Sequence, residues 1–421
     1  MSKHADVAAL WAAVESEDVV QVQQLLQTGL PLDERDGEGR TPLMVATQKN
    51  NAALARLLMK AGADVNARDN TMLSPYLCAG ANGFHEILAL AIEHGADMGS
   101  VNRFGGTPLL PSSEKGYLRT VQLCLKAGIA VDRANNLGWS ALLEAVILGD
   151  GGRLYADIVD NLVDAGADIH LRDHDGLSSL DHAQRLGQER VLQIFSRRET
   201  DVDVRPEGVS QVQALLRESD YAGALRLLDE RQDAIGHPLD GLYYRGYCLG
   251  ELRRYDEALA AYRQALALDP SALEFYFYTA NALRLQKKVD AALAEYDAAI
   301  AARPELAFHR YHKSNYLREL GRHQEAVAEM ETLLSQQPAR YDFSFHLANS
   351  LRSLQRHEEA IEAIENAIRN DAGNPLYPFH KAQSLKLLGR KSEALALVQA
   401  ILLQHPGHAS AQALADELAR A

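Results

Sequence analysis

Cysteine is scarce in this chain of 421 residues: only Cys78, Cys124 and Cys248 occur, far apart in sequence. They match neither a disulfide framework nor a paired zinc-ligand spacing, so a reducing, cytoplasmic setting is expected. Positive charge is also short, with 43 basic against 57 acidic side chains and a net charge of −14. That balance argues against a broad nucleic-acid or anionic-membrane binder. Long apolar runs are missing. The longest early one, Val7 to Val14, is eight residues between Asp6 and Glu15, whereas a membrane span needs about 18. A signal peptide would need a stronger cationic start than Lys3 and a small-residue cleavage site, so this stretch is expected to be a first amphipathic helix. Apolar residues are plentiful at 47%, enough for a sizeable core.

Catalytic patterns are absent as well. There is no glycine-rich phosphate loop with lysine, no His-Glu-x-x-His and no Gly-x-Ser-x-Gly. His85-Glu86 and His357-Glu358 lack a second histidine four residues on. His309 and His312 are three apart on one helix and are expected to be solvated surface side chains rather than a metal pair. Neither a catalytic residue nor a cofactor nor a metal is expected.

Internal periodicity is what the chain does have. Gly-Ala-Asp recurs at Gly62, Gly95 and Gly166, with weaker copies at Gly29 and Gly128, and Ser or Thr follows twelve residues later at Thr41, Ser74, Thr107, Ser140 and Ser178. Ser or Thr can cap a helix start, and proline at the first helical position forfeits no bond. The glycine closes a second helix in a left-handed conformation. Asp36-Gly37-Glu38-Gly39 and Asn136-Leu137-Gly138 read as turns, and Met72 stands where other turns carry Gly39, Gly105, Gly138 and Gly176. Each unit is two short helices and a turn, which bury an apolar face only by stacking. Five extra residues within Gly149 to Ala156 are expected in the loop between two helices. Pro111 is expected within the first turn of its helix, where no intrahelical bond need be lost.

The 33-residue period and the Thr-Pro-Leu pattern resemble the ankyrin repeat family over roughly residues 5–198. The run from Asn135 to Gly152 is similar to bacterial ankyrin proteins. Ser196 to Gly208 is charged, lacks apolar periodicity and reads as a junction.

Beyond it the period becomes 34. Ala224, Ala258, Ala292, Ala326, Ala360 and Ala394 keep it without a slip, as do Pro270, Pro304, Pro338 and Pro406, with Ala372 in the one vacant proline place. Small residues let helices approach, and proline ends the second helix. This half resembles tetratricopeptide repeats. The expected fold class is therefore all-α: an ankyrin repeat stack over 1–198, a linker over 199–204, six tetratricopeptide repeats over 205–408 as a superhelix, and a capping helix over 409–421.

Alignment at intervals of 34 gives columns of side chains. One reads Tyr243, Phe277, Tyr311, Phe345, Phe379, and the next Tyr244, Tyr278, His312, His346, His380. A third reads Asn281, Asn315, Asn349, Gln383, and a fourth Arg284, Arg318, Arg352, Lys386. Spacings of four and three put Phe277, Asn281 and Arg284 on one helical stripe. The tetratricopeptide resemblance implies that first helices line a groove. With helices about 10 Å apart and an extended peptide rising about 3.3 Å per residue, one rung meets every third peptide residue. Amides match a peptide backbone, and guanidinium forks match carboxylates. Two readings of the ring columns stay open, groove contact and packing. The three histidines cannot share a metal, since rungs about 10 Å apart exceed a nitrogen–metal bond of about 2 Å. Imidazole would make binding pH-dependent between roughly pH 5 and 7.

In the ankyrin half, the resemblance implies a face of turn tips and first helices holding Arg103, Phe104, Leu137, Trp139, Ile147, Leu148 and Leu177. The expected function is a non-enzymatic adaptor. Its groove would take an extended acidic or C-terminal peptide and its ankyrin face a second protein, with neither nucleic acid nor membrane as partner. A co-chaperone or assembly factor is the alternative, weakened because arginine outnumbers lysine in the fourth column. A regulatory subunit or enzyme using the Gly149 to Arg153 loop is a further one.

Overall fold

The computed structural model describes residues 3–203, 205–338, 340–370, 374–406 and 408–420, so Ala372 lies outside the described residues. Among the described residues there are 26 helices and no strand beyond an isolated bridge between Arg172 and Ser178. The chain is an all-α solenoid in two compact units, Met1–Thr200 and Asp201–Ala421.

The first unit consists of helix pairs. They are α1 (Lys3–Glu15) with α2 (Val19–Leu26), α3 (Pro42–Gln48) with α4 (Ala52–Lys60), and α5 (Pro75–Ala81) with α6 (His85–Glu93). Then come α7 (Leu109–Glu114) with α8 (Leu118–Lys126), α9 (Ala141–Ile147) with α10 (Arg153–Asp164), and α11 (Ser179–Leu186) with α12 (Glu189–Thr200). α12 thus runs two residues into the segment expected as a linker.

Local chemistry explains these boundaries. The side chains of Thr41, Ser74, Ser140 and Ser178 accept from backbone N–H groups three residues on, starting α3, α5, α9 and α11. Thr107 does not cap in this way. Leu110 N–H bonds the Thr107 carbonyl, and the Thr107 hydroxyl has no partner among the described residues. The turns before these helices share one device. Asp36, Asp69, Asn102, Asn135 and Asp173 each accept two backbone N–H groups on a single side-chain oxygen. The five-residue insertion divides: the connection Leu148 to Gly152 is two residues longer than its counterparts, and α10 is three residues longer than α4, α6 and α8.

Met72 takes φ 65°, in the left-handed region where the equivalent turns place Gly39, Gly105, Gly138 and Gly176 at φ 74–81°. A side chain there costs about 1–2 kcal/mol. Met72→Gly is therefore expected to stabilise the first unit by about 1 kcal/mol in urea unfolding, after the extra entropy of glycine is subtracted. A loss of stability would show that the methionine side chain contributes more than its backbone strain removes.

The second unit opens with α13 (Glu207–Arg217), α14 (Tyr221–Glu230) and a short α15 (Gln232–Ile235). Paired helices follow: α16 (Pro238–Glu251) and α17 (Tyr255–Leu268), α18 (Glu274–Leu285) and α19 (Val289–Ala302), α20 (Ala307–Glu319) and α21 (His323–Gln336). The last are α22 (Tyr341–Ser353) and α23 (His357–Asn370), α24 (Leu376–Leu387) and α25 (Lys391–Gln404), then α26 (Ala409–Arg420). The alanines that keep the 34-residue phase lie on the second helix of each pair and are at most 1% exposed. Opposite them, on first helices, stand Gly246, Ala280, Ser314, Ala348 and Ala382, all buried. A Cβ on Gly246 would lie 2.2 Å from Tyr262, so only glycine permits that approach.

Candidate functional site

The four columns lie on the first helices α16, α18, α20, α22 and α24, and their environments differ. Tyr243, Phe277, Tyr311, Phe345 and Phe379 are only 1–7% exposed. Tyr244, Tyr278, His312 and His380 are buried too, and His346 is half-buried. Each ring of the first column packs on the second-column ring one repeat later. The centroid separations are 5.3 Å for Tyr243–Tyr278, 4.8 Å for Phe277–His312, 5.3 Å for Tyr311–His346 and 5.2 Å for Phe345–His380. Phe379 closes the series against His408 at 5.4 Å. This corrects the sequence expectation for the two ring columns. They are the seam between repeats, each ring being covered by a ring of the next first helix.

His309 and His312 likewise are not solvated, being 2% and 4% exposed. His312 packs between Phe277 and Phe308, whose centroids are 4.8 and 4.4 Å away. Desolvation pulls His309 down to about 4, and its Nδ1 has no hydrogen-bond partner among the described residues. No group of three or more metal-ligating side chains occurs among the described residues.

The third and fourth columns sit at the margin of the seam. Asn281, Gln383, Arg284, Arg318, Arg352 and Lys386 are half-buried, while Asn315 and Asn349 are 7% and 8% exposed. The outer cations hold the chain's own carboxylates: Arg284 Nη1 lies 2.9 Å from Glu319, and Lys386 Nζ pairs with Glu417. The inner two hold neutral acceptors. Arg318 Nη1 donates to Asn315 Oδ1 at 3.1 Å and to His346 Nδ1 at 3.3 Å. That assigns the proton to His346 Nε2, which faces the Tyr311 hydroxyl at 3.3 Å. Arg352 donates to His380 Nδ1 and, at 2.8 Å, to Gln383 Oε1. Burial pulls the Arg352 guanidinium down to about 10, so it stays charged at neutral pH.

Four further arginines keep the 34-residue phase: Arg254, Arg322, Arg356 and Arg390. Each pairs with the glutamate three residues on, in Glu257, Glu325, Glu359 and Glu393. Among the described residues Arg318 and Arg352 have no such carboxylate.

In the first unit, Trp139, Ile147 and Leu148 are 6–8% exposed and pack as core. Their expected place on an open face is corrected accordingly, since all three side chains are buried. Arg103, Phe104, Leu137 and Leu177 are half-buried at the turns, with Arg103 Cζ 4.7 Å above the Phe104 ring. Two polar features escaped the sequence. Glu144, only 6% exposed, accepts from Asn135 Nδ2 at 2.7 Å, and burial with nearby Glu114 raises its carboxyl well above the usual range. His182 Nε2 meets Asp173 Oδ2 at 2.7 Å in the next repeat. The recurring Asn or Asp at the turn start was a readable signal for both. In the Gly149 to Arg153 loop, Gln188 Nε2 donates to the Val146 and Gly149 carbonyls, and Asp150 accepts from Gly152 N–H.

The comparisons with known proteins agree with these repeats. Residues 2–69 and 76–173 match ankyrin repeats (3 copies), and residues 245–307 and 311–375 match the tetratricopeptide repeat. The chain belongs to the ankyrin repeat family in its N-terminal half and carries tetratricopeptide repeats in its C-terminal half. An ankyrin repeat domain from Acinetobacter baumannii is 45% identical over 45% of this chain and 97% of its own, with a TM-score of 0.44. The ankyrin repeat protein EF0377 is 39% identical over 45% of this chain and 98% of its own, at 0.44. The ankyrin repeat domain of Bcl-3, a member of the IkappaB family, is 25% identical over 47% and 88%, at 0.42. No curated protein matches the chain. Both repeat types are protein–protein interaction modules, typically without catalysis. No helix among the described residues is long and apolar enough to cross a membrane.

Proposed function

We propose that the protein is a non-enzymatic, cytoplasmic adaptor. Its tetratricopeptide repeats, over 205–408 with the helix of 409–421 as cap, grip an extended peptide along the Asn281, Asn315, Asn349, Gln383 column and the Arg284, Arg318, Arg352, Lys386 column. Its ankyrin repeats, over 1–198, hold a second protein at Arg103, Phe104, Leu137 and Leu177. The observation that carries the reading is the division of labour on the first helices: the ring columns are consumed by packing, whereas the amides and cations lie at the margin with donors and acceptors at a repeating interval. Residues 205–421 also carry a charge of only −4, against −10 for residues 1–204, so cations are less diluted there. Backbone amides of a bound strand would pair with the carboxamides, since each offers both a donor and an acceptor.

Selection of random peptides on the full chain tests this. The expected result is enrichment of extended acidic sequences that is lost when Asn281, Asn315 and Asn349 are all changed to Ala. Absence of enrichment, or enrichment indifferent to those changes, would contradict a groove on this face.

A further inference from the structure

We propose that Arg318 and Arg352 form a two-rung anion site that takes two carboxylate side chains three residues apart, inside an extended acidic segment of a partner. The proposal rests on the groove reading above and narrows its ligand from any acidic or C-terminal peptide to an internal acidic pair.

The fourth column itself shows what it holds. At its two ends, Arg284 and Lys386 each engage a carboxylate of the same unit, Glu319 and Glu417. Those internal pairs leave the two rungs between them, Arg318 and Arg352, as the column's cations with no ion-pair partner among the described residues. At Arg318 and Arg352 the chain supplies only neutral acceptors: Asn315 and His346 for the first, His380 and Gln383 for the second. These bonds hold each guanidinium in place without neutralising it.

Keeping such a cation half-buried without a counter-charge is unfavourable for the unliganded chain. Every other arginine that repeats in phase in this unit has its glutamate. Arg352 is desolvated, and its Nε has no partner among the described residues. Among the described residues Arg318 commits only Nη1, which leaves Nη2 and Nε for a carboxylate fork.

Spacing selects the ligand. Adjacent first helices lie about 10 Å apart, and three residues of extended chain span about 10 Å. A single terminal carboxylate can fill one rung. Filling both requires acids at i and i+3 on one side of the peptide, which an extended polyproline II segment provides with three residues per turn and a rise of about 3.1 Å per residue, whereas a flat β-strand would alternate their sides.

The test is fluorescence anisotropy on the full chain, with short labelled peptides acetylated and amidated at their ends. They differ only in acid placement: Glu-x-x-Glu, Glu-x-Glu and Gln-x-x-Gln, with Gln-x-x-Gln repeated bearing a free C-terminus. Glu-x-x-Glu is expected to bind at least about ten-fold tighter than the rest, the scale of one charge-assisted pair. Arg318→Met and Arg352→Met should each remove that advantage, with a thermal midpoint no lower than that of the parent chain. Arg318→Met, at the less desolvated rung, serves if the other variant fails to fold. Equal binding of the capped peptides, sensitive to Asn281, Asn315 and Asn349 but not to the arginines, would leave the groove standing and overturn the paired-acid site. Preference for the free C-terminus would overturn it too. Failure of every peptide to bind would overturn both readings.

Discussion

Phe277→Ala is expected to lower the unfolding free energy of the second unit by about 3–5 kcal/mol, the range for removing a fully buried ring. Phe277 is 1% exposed. Its ring meets Phe308 at 5.0 Å and His312 at 4.8 Å on α20, and Tyr296 at 6.3 Å on α19. Truncation would open a cavity at the junction of two repeats, where relaxation is limited because each repeat is supported only by its neighbours. Phe277→Leu should recover most of the loss. Urea unfolding followed by circular dichroism reads the effect. Unchanged stability together with lost peptide binding would return this ring to the groove, one of the two readings that the sequence left open.

Acid should weaken the same region through His309. Burial holds this imidazole neutral in the folded chain, with its titration pushed down from 6.5 to about 4. The unfolded chain takes up a proton as pH falls below 6.5, while the folded chain resists until about 4. The contribution of a neutral His309 is therefore fully present above pH 6.5 and is lost as pH falls toward 4, by roughly 3 kcal/mol in all. His309→Leu removes the titrating group. Its unfolding free energy should consequently fall less between pH 7 and pH 4 than that of the parent chain, the difference isolating this residue from the carboxylates. Parallel curves for the two proteins would show that His309 is solvated or protonated when folded.

The repeat architecture was legible because each marker answers to a local constraint. Gly29, Gly62, Gly95, Gly128 and Gly166 adopt φ of 70–99°, as a glycine closing a helix should. The alanines at intervals of 34 are buried where helices pack closely. Even the irregular Met72 was visible as a departure, and it carries the backbone strain that the departure implies.

Depth was less legible. Spacings of three and four show that Phe277, Asn281 and Arg284 share a stripe, but they do not show how far the next helix covers it. That depends on how adjacent helices lean, which is a property of the assembled stack. A clue was present nonetheless. His312, His346 and His380 occupy the column in which Tyr244 and Tyr278 stand, so an aromatic, buried role was the consistent reading. The bonds from Arg318 to His346 and from Arg352 to His380 span 28 residues. Columns built at an interval of 34 cannot reveal them.

The central claim is that rings on the first helices hold the repeats together while Arg318 and Arg352 beside them are proposed to take a ligand's acids. Measuring thermal unfolding and acidic-peptide binding side by side on the full chain carrying Arg318→Glu and Arg352→Glu tests it most directly. The account expects a folded protein with a midpoint close to that of the parent chain and no detectable affinity for the capped Glu-x-x-Glu peptide. Binding that survives both charge reversals would contradict it.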